Sequence, residues 1–317
     1  LLLEKRAQAG ISKASNLPDT RVIDKAIYKG IKPIGPERTK NLMIAFIIGL
    51  FFPSGIIFLK DFLNTKIKNR SEIISLTNIP ILAMIPRSDH KSNLVVFDRP
   101  QSTVAESFRV LRSKISYYTN DIDKRGKVIM VTSSIPSEGK TFTSINLASA
   151  LSLNEEKTIL VGLDLRKPKI IVDFDLNNNF GVSSYLSGIS KNMDEIIQHS
   201  GFDNLDIISA GPIPPNPSEL INRQKFVEFI SSLKEKYKNI IIDTPPIMLV
   251  ADSLQIAKHV DVTIYMCRYN YTQKELLTLL NEQNDSKVLQ NIGIVFNDIK
   301  DMIGYGYGYG YGYGYGY

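Results

Sequence analysis

Val128–Ile–Met–Val–Thr–Ser–Ser–Ile–Pro–Ser–Glu–Gly–Lys–Thr141 opens with a buried-strand pattern, continues through a loop of small residues, and ends in Gly-Lys-Thr. The residues after Thr141 read as a helix to about Leu153. A loop of this kind turns its backbone amides inward around phosphate, and the helix N-terminus adds a partial positive charge. The chemistry therefore falls to Ser134, Ile135, Pro136, Ser137, Glu138, Gly139, Lys140 and Thr141 as a nucleotide-phosphate cradle. Lys140 is placed for the β- and γ-phosphates of ATP, and the Thr141 hydroxyl for Mg²⁺. The usual first glycine of G-x-x-x-x-G-K-T is Ser134 here, which serves if its backbone angles are ordinary.

Two aspartates fit around this loop. Asp164 follows the apolar run Thr158–Leu163, and Asp243 ends Ile240–Asp243. Ligands of open parallel sheets bind at the carboxyl ends of the strands. Asp243 is thus expected in the metal shell, and Asp164 either in that shell or as acceptor of the attacking hydroxyl's proton.

Outward from there, short apolar runs recur at Leu205–Ser209, Val262–Arg268 and Ile292–Phe296, with helical patterns at Glu219–Tyr237 and Lys274–Leu280 between them. Thr103 with Glu106, and Thr272 with Glu275, have capping-box spacing. Continuous apolar strands alternating with helices imply a parallel sheet covered on both faces. The expected fold is α/β, a doubly wound, mostly parallel P-loop sheet over 101–303, preceded by one transmembrane helix and followed by a disordered Gly-Tyr tail.

Leu42–Leu59 carries no charge, and its 18 residues as a helix span ~27 Å, near the thickness of a bilayer's hydrocarbon core. Its Pro53 and Gly55 suit a membrane helix better than a soluble one. Lys60, Lys66, Lys68 and Arg70 follow it against Asp61 alone, whereas Arg38 and Lys40 precede it, which leans towards a cytoplasmic C-terminal side. The domain reading is 1–40 before the membrane, 41–60 membrane helix, 61–100 linker, 101–303 P-loop domain and 304–317 tail. Leu1 opens in mid-pattern with no signal peptide, so a longer protein is expected upstream.

Composition narrows the rest. A net charge of +6 on 317 residues is a solvated surface rather than a nucleic-acid patch. The single Cys267 excludes an intrachain disulfide and a cysteine metal cluster, and His90, His199 and His259 lack ligand spacing. From Gly304 the chain alternates Gly and Tyr, presenting Tyr305, Tyr307, Tyr309, Tyr311, Tyr313, Tyr315 and Tyr317. The Gly/Tyr alternation also suits β-stacking.

Ser133–Thr141 (SSIPSEGKT), Leu160–Pro168 (LVGLDLRKP) and Ile240–Pro246 (IIIDTPP) resemble, in order, the Walker A, A′ and B motifs of bacterial tyrosine autokinases. These kinases belong with the polysaccharide co-polymerases of capsule and exopolysaccharide export. The resemblance implies ATP- and Mg²⁺-dependent autophosphorylation on the C-terminal tyrosines, with Lys140, Asp164 and Asp243 catalytic and Arg166 at the nucleotide site. It implies that 1–40 ends a periplasmic chain-length domain and that the kinase domain lies on the cytoplasmic side of the bacterial inner membrane. Glu106, Arg109 and Arg112 resemble the family's E-x-x-R-x-x-R ring-assembly motif, implying a homo-oligomeric ring with transfer in trans. The polysaccharide export machinery and a tyrosine phosphatase are the further partners the family implies. One departure is Gly162, where the family's D-x-D-x-R often begins with aspartate. The eukaryotic kinase motifs H-R-D and D-F-G are missing.

Two rivals stay open from the residues. Partitioning or division-site ATPases share this core but carry an early lysine in the loop, absent from Ser133–Lys140. A membrane scaffold that binds nucleotide without turnover is the other.

Overall fold

A computed structural model of the chain describes residues 1–15, 37–118, 126–168, 170–289 and 291–300. The chain divides into two compact units, Leu1–Asn64 and Thr65–Tyr317.

In the first unit, helices α1 (Leu2–Ser15) and α2 (Arg38–Phe62) have no buried residue. Helix α2 is long and apolar enough to cross a membrane. Pro53 lies inside it, and beside it the Ser54 hydroxyl donates to the Leu50 carbonyl at 2.7 Å.

The second unit is built on one eight-stranded sheet: β1 (Ile81–Pro86), β2 (Lys127–Ser133), β3 (Thr158–Gly162), β4 (Ile197–His199), β5 (Leu205–Ile208), β6 (Asn239–Asp243), β7 (Val262–Arg268) and β8 (Ile292–Ile299). Their order is β1-β8-β7-β2-β6-β3-β5-β4, parallel except for the β4–β5 pair. The central strands are buried along their whole length, which explains why they read as unbroken apolar runs. Each fully buried Ile or Val there contributes ~1.5–3 kcal/mol through removal of apolar surface from water.

Helices α3 (Arg70–Leu76), α4 (Val95–Asp98), α5 (Thr103–Tyr118), α6 (Lys140–Ser152), α7 (Ile170–Asp173), α8 (Val182–Ser187), α9 (Pro217–Ile221), α10 (Gln224–Lys236), α11 (Asp252–Ala257) and α12 (Lys274–Asp285) connect the strands. Two buried clusters hold them. One includes Val128, Met130, Ile240, Phe226 and Leu277, and the other includes Ile129, Val131, Ile241, Leu111 and Ile145. Neighbouring residues of β2 and β6 thus fall alternately into the two clusters, the signature of a sheet covered on both sides.

Four expectations change here. Residues 61–100 are not a simple linker: Ile81–Pro86 pairs with β8 as the edge strand, and Ile73, Val95 and Val96 are buried. The prolines at 80 and 86 are tolerated because the strand lies at the sheet's edge. The expected helix Glu219–Tyr237 is two helices, α9 and α10. Thr103 is not a cap, since the Ser102 hydroxyl accepts from the Ala105 N–H at 3.1 Å while Glu106 turns to Arg109. Thr272 is not a cap either: α12 starts at Lys274 and the Thr272 hydroxyl meets Glu138.

Candidate active site

Strand β2 lies between β6 and β7, so its carboxyl end opens at the middle of the sheet. The loop that leaves it is held from outside by its carbonyls. Tyr271 Oη donates to Pro136 O at 3.2 Å, Arg268 Nη1 to Ser137 O at 2.7 Å, and Asn297 Nδ2 to Glu138 O at 3.1 Å. In a trans peptide the N–H points opposite to the C=O, so the amides of Ser137, Glu138 and Gly139 face the hollow of the loop. Ser137 (φ 65°) and Gly139 (φ 102°) make the turns this requires. At Gly139 a Cβ would lie 2.0 Å from Asn297 Nδ2 and displace the amide that holds the loop, and the positive φ itself favours glycine. Ser134, in place of the usual glycine, has no positive φ; it is buried and shares a 2.6 Å hydrogen bond with the Tyr265 hydroxyl. The Glu138 side chain is buried, accepting from the Ile135 N–H at 3.0 Å and from the Thr272 hydroxyl. Burial pushes its carboxyl above the usual range.

At the head of α6 the expected residues meet. Lys140 is 9% exposed and donates from Nζ to Ser133 Oγ at 2.9 Å. Asp243, 4% exposed, accepts from Thr141 Oγ1 at 2.8 Å and Ser144 Oγ at 3.2 Å. Burial pushes the Asp243 carboxyl up to about 6, and the charge of Asp164 adds to that, while the Thr141 hydroxyl and the Lys140 ammonium oppose it. Among the described residues no three His, Cys, Asp or Glu side chains gather as a metal cage. The donor set is instead a carboxylate and a hydroxyl, which fits Mg²⁺, an ion held by one or two carboxylates together with substrate phosphates.

Asp164 stands in the turn after β3, where Oδ1 accepts from the N–H groups of Arg166 (3.2 Å) and Lys167 (2.9 Å). With Asp243 it lines a small cavity that also includes Gly162 and Ala210. A Cβ at Gly162 would stand 3.3 Å from Ala210 N and 3.4 Å from Ile170 Cδ1, so a longer side chain there must displace its neighbours. Arg166, expected at the nucleotide, donates instead to Asp252 Oδ2 at 3.0 Å and Ser218 Oγ at 3.2 Å.

Beside the loop, a cleft is lined by Arg87, His90, Ser137, Phe142, Arg268 and Asn297, among others. Arg87 and Arg268 both grip Asp298, at 2.7–3.0 Å. The sequence does not reveal these clasping residues, yet Arg268 ends β7 and Asn297 lies in the C-terminal half of β8, towards the edge where ligands of such sheets bind.

Glu106 and Arg109 form an exposed ion pair at 2.7 Å on α5. Arg112 is engaged elsewhere, with Nη1 donating to Ala150 O at 2.6 Å in the last turn of the phosphate-loop helix. Tyr305 through Tyr317 lie outside the described residues.

A family model described as an AAA domain matches residues 126–292. Tyrosine-protein kinase YwqD of Bacillus subtilis is 33% identical over 208 residues, covering 66% of this chain and 86% of that protein. Tyrosine-protein kinase ptk of Acinetobacter johnsonii is 31% identical over 312 residues, covering 94% of this chain and 42% of that protein. The solved kinase domain of Escherichia coli tyrosine kinase ETK matches with a TM-score of 0.68 at 26% identity, over 77% of this chain and 100% of that one. The chain spans about two fifths of the length of the longer curated relatives.

Proposed function

The chain belongs to the bacterial tyrosine kinases, and from that membership we propose that it transfers the γ-phosphoryl group of ATP to the tyrosines of its own 304–317 stretch. The observation that carries this reading is the meeting of Lys140, Thr141 and Asp243 at the mouth of a loop whose amides face inward. Little covalent chemistry is asked of the protein in such a transfer; positioning and charge neutralisation do most of it.

In this account the loop amides and Lys140 hold the phosphates, and the cleft beside Arg268 and Asn297 takes the nucleoside. Thr141 and Asp243 would hold Mg²⁺, with Asp164 close by. When bound, that ion would neutralise the negative charge of the phosphates during transfer. Asp164, whose turn hydrogen bonds go to Oδ1, would accept the tyrosine proton or complete the metal shell.

The seven tyrosines of 304–317 would be offered to a neighbour in a ring, with Glu106 and Arg109 at the contact. A filled tail would carry on the order of −10 to −14 charges, and such tails would repel one another and loosen the ring. Helix α2 would anchor the domain on the cytoplasmic face of the inner membrane, with residues 1–40 periplasmic. The family resemblance supports the polysaccharide export machinery and a tyrosine phosphatase as partners.

Incubating the detergent-solubilised chain with γ-labelled ATP tests the reading. Label on tyrosine that disappears when 304–317 is deleted supports it. Free labelled phosphate alone marks an ATPase, and bound ATP without turnover marks a scaffold.

A further inference from the structure

Asp252 opens α11, the helix that follows the Walker B strand, and is 2% exposed. Both its oxygens are engaged. Oδ2 accepts from Arg166 Nε at 3.0 Å, and Oδ1 accepts from the Ser218 hydroxyl. Arg166 Nη2 closes the triangle on Ser218 Oγ at 3.2 Å. Three segments distant in sequence are thereby tied at one point: the turn after β3, the start of α9, and the start of α11.

The tie leads directly to Asp164. The backbone N–H groups of Arg166 and Lys167 donate to Asp164 Oδ1, so whatever fixes Arg166 fixes the orientation of that carboxylate. Within this turn Leu165 is buried in the core, which leaves the polar flank on either side of it to be held by side-chain hydrogen bonds. Arg166 is 42% exposed in the ion pair, and Lys167 is exposed. Burying a carboxylate is costly unless it is paired and hydrogen-bonded, and an apolar residue would have closed the same space at less cost. A buried anion whose visible work is to grip the arginine of a turn bearing an active-site aspartate is placed to set geometry.

We infer that Asp252 is a positioning residue for the transfer: acting through Arg166 and Ser218, it fixes the turn that presents Asp164 beside Asp243. The catalytic half of this inference rests on the kinase reading; the structural half does not.

The test uses the full chain in detergent, with Asp252→Asn, Arg166→Gln, the double variant and Ser218→Ala. Hydrogen exchange of the amides in 163–168 is expected to rise about tenfold or more in Asp252→Asn, while that of 134–141 stays unchanged. Tail phosphorylation is expected to lose about 10- to 100-fold in kcat, since a displacement near 1 Å is enough for that. The KM for ATP is expected to stay within about threefold, and the double variant to be no slower than the slower single, because both break one link. Ser218→Ala, which removes only a hydroxyl, should move both readouts in the same direction by less, and it carries the test if Asp252→Asn does not fold. Unchanged exchange in 163–168, or a double variant whose loss is the product of the singles, overturns the inference. If wild-type protein transfers no phosphoryl group, the kinase reading fails, and exchange alone decides whether Asp252 holds the turn.

Discussion

Ser134–Gly139 and Asp164–Pro168 both leave the carboxyl ends of buried parallel strands, and they converge on Asp243. The first is gripped through its carbonyls by Tyr271, Arg268 and Asn297 and braced below by Glu138 and Thr272. The second is anchored by buried Leu165, and its charged flank is held by the Asp164 hydrogen bonds and by one half-exposed arginine. The difference assigns separate work to the two loops. A cradle built before the ligand arrives gives affinity, because its ordering cost is met in folding. A turn whose charged flank depends on one side-chain tie governs rate, because small displacements there matter most to the reacting atoms. Damage to the first should therefore appear as lost nucleotide binding, and damage to the second as slow transfer.

The largest expected effect is at Gly139. A methyl group at that position would collide with Asn297, and φ of 102° disfavours any side chain. Gly139→Ala should weaken Mg·ATP binding, measured with a fluorescent nucleotide, by about 100-fold or more. Binding within threefold of wild type would show that the cradle is not preformed.

The pH dependence comes next. The folded pKa of Asp243 is raised to about 6 from a reference of 3.8, so this carboxyl takes up a proton on folding between those values. Nucleotide-free protein should therefore gain stability from this group as pH falls through 6, with the gain complete below about 4. Mg²⁺-dependent ATP affinity should run the other way, falling below about pH 6 by up to tenfold per unit as the ligand is protonated. Titration calorimetry for the affinity and denaturant unfolding for the stability, both between pH 5 and 8 on wild type and Asp243→Asn, check the two; equal profiles in the two proteins would remove Asp243 from the site.

Arg268→Ala should lower ATP affinity about tenfold and leave kcat at saturation close to wild type, since it frees one carbonyl of the cradle and part of the cleft wall. A fall in kcat at unchanged affinity would erase the contrast between the loops. Gly162→Ala should be the mildest, costing about 0.5–1.5 kcal/mol by thermal or denaturant unfolding and changing neither binding nor rate by more than about twofold. Its new Cβ meets Ala210 N at 3.3 Å, and the strand pair can give by a few tenths of an ångström.

How far the sequence reaches follows from the same contrast. Val128–Val131 and Ile240–Ile242 were legible as strands because both faces are covered, leaving no polar residue to interrupt them. Ile81–Pro86 was not, because prolines bracket it and an edge strand is allowed them. The break between α9 and α10 falls at Asn222–Arg223, where no proline or glycine marks it. In the site, Lys140, Thr141 and Asp243 were legible because their chemistry is local to a motif. Arg268, Tyr271 and Thr272 were not, because each acts on the loop across more than a hundred residues. Thr272 looked like a helix cap because a hydroxyl three residues before a glutamate has the same spacing in either role. Arg166 was expected at the nucleotide, and only the packing of α9 and α11 shows that its first partners are Ser218 and Asp252.

Intact-protein and peptide mass spectrometry of the 304–317 stretch, before and after Mg·ATP, in wild type and Lys140→Ala, tests the central claim most directly. Wild type should acquire phosphate on several of the seven tyrosines of that stretch, and Lys140→Ala on none above about a thousandth of that level. An unmodified stretch in wild type, or equal phosphate in the two proteins, would contradict the account.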